Sequence, residues 1–284
     1  MHWGPRLAPS RRMRLLATSL TAASATAAIL LKRDHDQQAA TRHVAAAALE
    51  SLLNAVDAND EETGAHVRRV AAYALVLAEE ARLEEVERHL VEQVALFHDI
   101  GKIHEALFDI VHEGDTLTRS ERRAIATHPQ RGADVLAPLC NLYPELPAGV
   151  LAHHERWDGR GYPKGLKGRR IPLAARIVTI VDTFDAITHR RRYSSPRPAL
   201  VALEVILRGR GRQFDPELVD LFSFPGVFER ILRTQHVVSR WKTTRTRHTG
   251  EKEGDVPEIT FRWRPARRAS RAQRLPRPAI GTPR

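Results

Sequence analysis

The chain has 284 residues, 45 Lys and Arg against 34 Asp and Glu, a formal net charge of +11 and a pI near 10.5. Hydrophobic residues make up 42% and charged residues 28%, which excludes wholesale disorder and a multi-span membrane protein. The single cysteine, Cys140, excludes an intramolecular disulfide and a zinc-finger framework and is compatible with a reducing compartment. Taken whole, the charge suggests a nucleic-acid or anionic-membrane partner. Residues 1–33, however, carry six basic and no acidic groups (+6), and residues 237–284 carry thirteen basic against four acidic (+9). The stretch between holds 26 basic and 30 acidic groups, −4. The basic character belongs to the ends, so polymeric nucleic acid is not expected as a partner of the body. Three segments follow: a leader over 1–35, a body over 36–236 and a tail over 237–284.

In the leader, Leu15 to Leu31 is a run of 17 residues without a charge, bracketed by Arg11, Arg12 and Arg14 and by Lys32 and Arg33. A spanning helix wants about 20 predominantly apolar residues, and this run is rich in Ala, Ser and Thr. A weak membrane anchor, a signal cleaved near Ala25-Thr26-Ala27 and a loose leader all stay open. The expected location is cytoplasmic, with membrane association through residues 15–31 as an option.

The body reads as helical almost throughout. Val44, Leu49, Leu52, Leu53 and Val56 form one apolar stripe, Val67, Val70, Ala74, Leu77 and Ala78 the next, and Val86, Leu90, Val94 and Phe97 a third. Thr118 followed by Glu121 predicts a capping box that opens a helix running through Ile125 to Leu139. Ser195-Pro196 and Asp215-Pro216 each place a capping residue before Pro at the first helical position. No run alternates with period two long enough for a sheet, so the expected fold is all-α, a helical bundle interrupted by a Gly-rich loop from Trp157 to Arg170. The tail, rich in Arg, Pro, Thr and Ser, shows no helical or strand period and is expected to be disordered. Its Trp241, Phe261 and Trp263, interleaved with Arg, could stack on bases, the less expected alternative.

The chemistry lies in an ordered series of nitrogen and oxygen ligands in the acidic body: Glu62 and His66, then His98-Asp99, His128, His153-His154 and Asp182. Successive members are about one helix plus its connection apart, so a bundle can turn them toward one centre. Glu62 and His66 share a helix face, whereas adjacent His98 and Asp99 diverge by about 100° and can serve two ions at once. Five histidines, three carboxylates and no thiolate suit Mn²⁺, Fe²⁺ or a related ion rather than structural zinc. The set exceeds what one ion needs. Two or three divalent ions about 3.5–4 Å apart are implied, an arrangement that activates a bridging hydroxide and clamps a phosphoryl group. Lys102, one turn on, can neutralise a phosphate oxygen. His89, His104, His112 and His189 fall outside the series and are expected to be ordinary hydrogen-bonded side chains.

The run His98-Asp99-Ile100-Gly101-Lys102, followed by His153-His154-Glu155-Arg156-Trp157-Asp158-Gly159-Arg160-Gly161-Tyr162-Pro163 and Asp182-Thr183-Phe184-Asp185-Ala186, resembles the HD-GYP branch of the HD-domain phosphohydrolases. The likeness covers roughly Asp60 to Phe224. It implies an HD-domain bundle that hydrolyses cyclic di-GMP to the linear dinucleotide pGpG or to GMP, with Fe or Mn as cofactor. It puts His66, His98, Asp99, His128, His153, His154 and Asp182 on metal-ligand positions and Glu62 on the bridging carboxylate of a three-metal subgroup. Asp99 and Lys102 would be catalytic, and Tyr162, Asp185 and Arg191 would contact the dinucleotide. Gly159, Gly161, Gly165 and Gly168 would supply positive φ angles that present Tyr162 to a base. One departure is Ser194 after Tyr193, where the family often has a basic residue. Two alternatives are an HD phosphohydrolase for another nucleotide and a non-catalytic cyclic di-GMP module acting through signalling-protein partners.

Overall fold

A computed structural model describes residue 41 and residues 44–55, 61–103, 118–189 and 195–245. The chain divides into two units, one up to Leu49 and one from Glu50. In the first, the described residues are helical. The second is a helical bundle, and among the described residues it holds no strand, only an isolated bridge between Arg210 and Phe214. The leader with its run 15–31 and the tail beyond Arg245 lie outside the described residues. No described helix is long and apolar enough to cross a membrane.

Helix α1 (Glu61–Glu80) carries the second predicted stripe, and Val67, Val70, Ala74, Leu77 and Ala78 are all buried. It ends in a Schellman closure. Arg82 takes φ 55° while Leu83 N donates to Ala78 O (3.1 Å) and Arg82 N to Glu79 O (2.9 Å). Glu84 and Glu87 then form a capping box that opens α2 (Glu85–Phe97). Val91, Val94 and Phe97 bury one face of α2 against α1, and Val86 and Leu90 stay half-buried.

The predicted helix from Thr118 to Leu139 is in fact three pieces. The Thr118–Glu121 capping box opens α3 (Arg119–Ile125) as expected, but the chain then breaks at Ala126-Thr127. It restarts as α4 (His128–Leu136) and finishes in a 3-10 turn over Ala137–Leu139. Pro129 and Pro138 explain the breaks, because each lacks the N–H that a continuing helix needs and crowds the preceding turn. Next come α5 (Leu146–Leu151) and, after the Gly-rich loop, the central helix α6 (Leu173–Thr188). Ile177, Val178, Ile180, Val181 and Phe184 of α6 are fully buried, in contact with α1, α2 and α5.

Helix α7 (Ala199–Arg208) starts four residues after Ser195, not at it, with Pro198 at its N-cap. Pro198 disfavours helical backbone at Arg197, so Ser195 cannot open a helix. Asp215 does cap α8 (Pro216–Ser223), its carboxylate accepting from Glu217 N at 2.9 Å. Helix α9 (Pro225–Arg245) packs on α1, buries Val227, Phe228 and Ile231, and runs nine residues past the composition boundary at 236. That stretch has no Gly or Pro to stop a helix already anchored upstream.

Gly101, in the 3-10 turn Ile100–Ile103 after α2, sits directly under the start of α4. A Cβ there would overlap His128 O and come within 2.6 Å of Gly132 N, both backbone atoms that cannot move aside cheaply. Gly101→Ala is expected to destabilise the fold by about 1–3 kcal/mol or more, read as a lower Tm in thermal melts.

Candidate metal centre

The helix boundaries place the histidines. His98 is the C-cap of α2, His128 the first residue of α4, and His153-His154 follow α5. Each of the three buried rings turns Nδ1 back to a carbonyl three residues earlier: His98 to Ala95 O (2.8 Å), His128 to Ile125 O (2.7 Å) and His153 to Val150 O (2.6 Å). A carbonyl only accepts, so Nδ1–H donates and the Nε2 lone pair is left pointing inward. The same local device is used three times, and it selects the tautomer that a metal ligand needs.

Two ligand groups result, each with its donor atoms within 4.8 Å of one another: His66, His98 and Asp182, and His128, His153 and His154. Asp99 lies between them. Its Oδ2 is 3.5 Å from His98 Nε2 and 3.9 Å from His66 Nε2, and its Oδ1 is 3.3 Å from His128 Nε2 and 4.0 Å from His153 Nε2. Lys102 Nζ donates to Oδ2 at 2.7 Å.

The protonation states suit cation binding. Burial holds His98 below the ordinary imidazole value and His153 well below it, and burial with His128 alongside pushes His154 down to about 4. At neutral pH these rings are uncharged, with lone pairs to offer. His66 is the exception: burial works against its charged form, but Asp182 and Asp185 outweigh that and raise it. Burial likewise opposes the Asp99 carboxylate, yet Lys102, His98 and His128 hold it well below the usual range.

A divalent ion fits this donor set on an observation independent of motif. His66 Nε2 and His98 Nε2 are buried with no hydrogen-bond partner, a state that ordinarily costs about 1–3 kcal/mol per group. Each faces a carboxylate oxygen, which is the arrangement a cation resolves. Five imidazoles, Asp99, Asp182 and no sulfur favour Mn²⁺- or Fe²⁺-type ions over structural zinc.

The remaining predicted residues fall in different places. Glu62 is exposed, one turn before His66 and outside both groups. Arg191 lies outside the described residues, as do His104 and His112. Tyr162 is 37% exposed and stacks on His154, ring centroids 4.9 Å apart at 24°. Asp185, expected to contact the dinucleotide, is buried and fully engaged. Its Oδ2 accepts from His66 Nδ1 (2.6 Å) and Arg69 Nη2 (2.9 Å), and its Oδ1 from Arg69 Nε (2.7 Å), with His189 Nδ1 also 2.9 Å away. Asp185 thus stands behind His66, with both of its oxygens taken by protein groups. Arg69 was not singled out from sequence, and His189 was set outside the series as an ordinary hydrogen-bonded side chain. The available signals were their spacings, three residues after His66 and four after Asp185, each on the same helix face.

The Gly-rich loop is built on another residue the motif reading passed over. Glu155 is buried and accepts from Lys164 N (2.7 Å) and Leu166 N (2.9 Å), closing the loop around its own carboxylate. Gly159, Gly165 and Gly168 do take positive φ, 80°, 63° and 59°. Gly161 does not; it allows a close approach, since a Cβ there would overlap Arg156 N and lie 2.5 Å from Glu155 Cα. Replacing Glu155 with Gln puts a donor where two acceptor positions are needed. Glu155→Gln is expected to cost about 1.5–3 kcal/mol in chemical denaturation and to speed proteolytic cleavage between 157 and 168.

The HD-domain family model matches residues 49–218, more than half of the chain. The chain is 40% identical over 136 residues to the cyclic di-GMP phosphodiesterase response regulator RpfG of Xanthomonas campestris pv. campestris, covering 47% of this chain and 35% of that protein. It is 38% identical over 136 residues to a cyclic di-GMP phosphodiesterase of Thermotoga maritima, covering 46% and 36%. It is 36% identical over 137 residues to the 3'3'-cGAMP-specific phosphodiesterase 2 of Vibrio cholerae, covering 48% and 26%. The chain thus spans about a third of the length of these curated relatives. The crystal structure of a cyclic GMP-AMP specific phosphodiesterase of V. cholerae superimposes with a TM-score of 0.50 at 22% identity, over 70% of this chain and 51% of that one, a likeness in fold. With the matched span enclosing every histidine of the two ligand groups, the chain belongs to the HD-domain family, in the HD-GYP branch marked by Gly161-Tyr162-Pro163.

Proposed function

We propose that this chain is a metal-dependent phosphodiesterase that opens the ring of a cyclic dinucleotide, with cyclic di-GMP as substrate and pGpG or GMP as product. The observation that carries the reading is Asp99, which offers one carboxylate oxygen to each of two ligand groups while Lys102 donates to the oxygen on the His98 side. The names of relatives at 36–40% identity support the substrate class.

His66, His98 and Asp182 would hold one divalent ion, His128, His153 and His154 a second, and Asp99 both. Fe or Mn suits the donors, and Glu62 is the candidate ligand for a third. Such ions supply Lewis-acid polarisation of the phosphoryl oxygens and make water nucleophilic at neutral pH. The protein does the rest. Lys102 hands its hydrogen bond from Asp99 to a phosphoryl oxygen and offsets the charge that develops there. Tyr162, held against His154 by the Glu155-closed loop, gives a guanine base an aromatic face. Arg191 is a further phosphate contact on this reading. The body over 36–236 carries the chemistry, and the basic leader and tail act as tethers to an anionic surface, with residues 15–31 as the membrane-associating part.

The test is anaerobic purification with Mn²⁺ or Fe²⁺, incubation with cyclic di-GMP, 3'3'-cGAMP and other nucleotides, and chromatography of the products. Turnover of cyclic di-GMP is expected, and Asp99→Ala should reduce it to background. Binding without turnover under every metal condition would sink the enzyme reading in favour of a signalling module, and turnover of another nucleotide alone would change the substrate. Tyr162→Ala should raise KM about tenfold with kcat little changed, the worth of one lost base stack.

A further inference from the structure

The two halves of the centre are not equivalent, and two observations separate them. The His66, His98 and Asp182 half has a carboxylate of its own, with Asp182 Oδ1 3.3 Å from His66 Nε2. The His128, His153 and His154 half has none. There His128 Nε2 and His153 Nε2 lie 3.0 Å apart, two lone pairs facing each other, since both rings give Nδ1–H to a carbonyl. An ion entering the first half meets the charge of Asp182 as well as a share of Asp99. One entering the second meets a share of Asp99 alone.

The second difference lies behind the rings. His98, His128 and His153 lean on neutral backbone carbonyls, but His66 leans on the Asp185 carboxylate. Arg69 clamps that carboxylate with two hydrogen bonds and His189 braces its other side. A carboxylate behind an imidazole fixes the ring and raises its basicity toward a metal more than an amide oxygen does. The opposing group is Lys102, whose ammonium sits on Asp99 Oδ2. Its side chain is 27% exposed on a long stem and can swing toward solvent when a cation approaches.

We infer that the centre loads in order, the first ion to the His66, His98 and Asp182 half and the second to the three-histidine half. Asp185, Arg69 and His189 are the positioning residues that make the first half tighter. The inference rests on the metal-binding part of the function proposed above and is independent of which nucleotide is hydrolysed.

The test is titration of the metal-free full chain with Mn²⁺, followed by calorimetry and electron paramagnetic resonance. Two steps are expected, the first giving the signal of an isolated ion and the second altering it by spin coupling. His154→Ala should remove the second step and leave the first in place. In the His154→Ala background, Asp185→Asn should weaken the remaining step about 10–100-fold. Because Asp185 is buried and Asp185→Asn can unsettle the fold, His189→Ala provides a milder variant. It should weaken the same step by a smaller factor while the Tm of the metal-free protein stays unchanged. Two indistinguishable steps in the parent chain, loss of the first step in His154→Ala, or a first step untouched by His189→Ala would overturn the order. No Mn²⁺ binding at all would overturn the metal centre itself, which separates that failure from failure of the order alone.

Discussion

Asp99 is a buried carboxylate with histidines on both sides, and the rest of the molecule is arranged to keep it ionised. An isolated carboxylate in a bundle interior would take up a proton instead of staying charged. Here Lys102 donates to one oxygen, and His98 and His128 flank the pair, so the charge is retained despite burial. A buried anion faced by histidine nitrogens on both sides is suited to hold cations. The bundle around it exists to bring α1, α2, α4, α5 and α6 to that one point.

Helix termini do most of this positioning. His98, His128 and His153 sit at or beside helix ends, where the preceding carbonyl is close enough to take Nδ1–H. Pro129 has a direct part in this: by ending continuous helix before it, it makes His128 the first residue of α4 and frees Ile125 O to accept from the ring. His66 sits inside α1, where its ring turns to a side chain, and Asp185 with Arg69 fills the role that the backbone plays elsewhere. The Gly-rich loop follows the same economy of parts, with one buried carboxylate, Glu155, taking two loop amides so that Tyr162 rests against His154.

The stripes of α1 and α2, the capping box at Thr118 and the cap at Asp215 were legible in sequence because each depends on residues a few positions apart. The ligand series was legible for a related reason: metal chemistry restricts donor types so narrowly that their order along the chain carries information. The helix over 118–139 and the start at Ser195 were misread because a proline farther along set the helix boundary. The partners of Asp185 were not legible, because its spacing from Asp182 says which helix face it shares, not that Arg69 waits there.

By itself, then, the sequence determined the all-α class, the identity of the candidate ligands and the separation of basic ends from an acidic body, since composition, period and donor chemistry are properties of short stretches. Only the tertiary structure decided how the ligands divide. That His128 meets His153 follows from packing α4 against α5; that His66 and His98 stand with Asp182, and that Arg69 and His189 lock Asp185, follow from packing α1 and α2 against α6. Residues more than a hundred positions apart meet there, and no local pattern encodes which side of the meeting each will face.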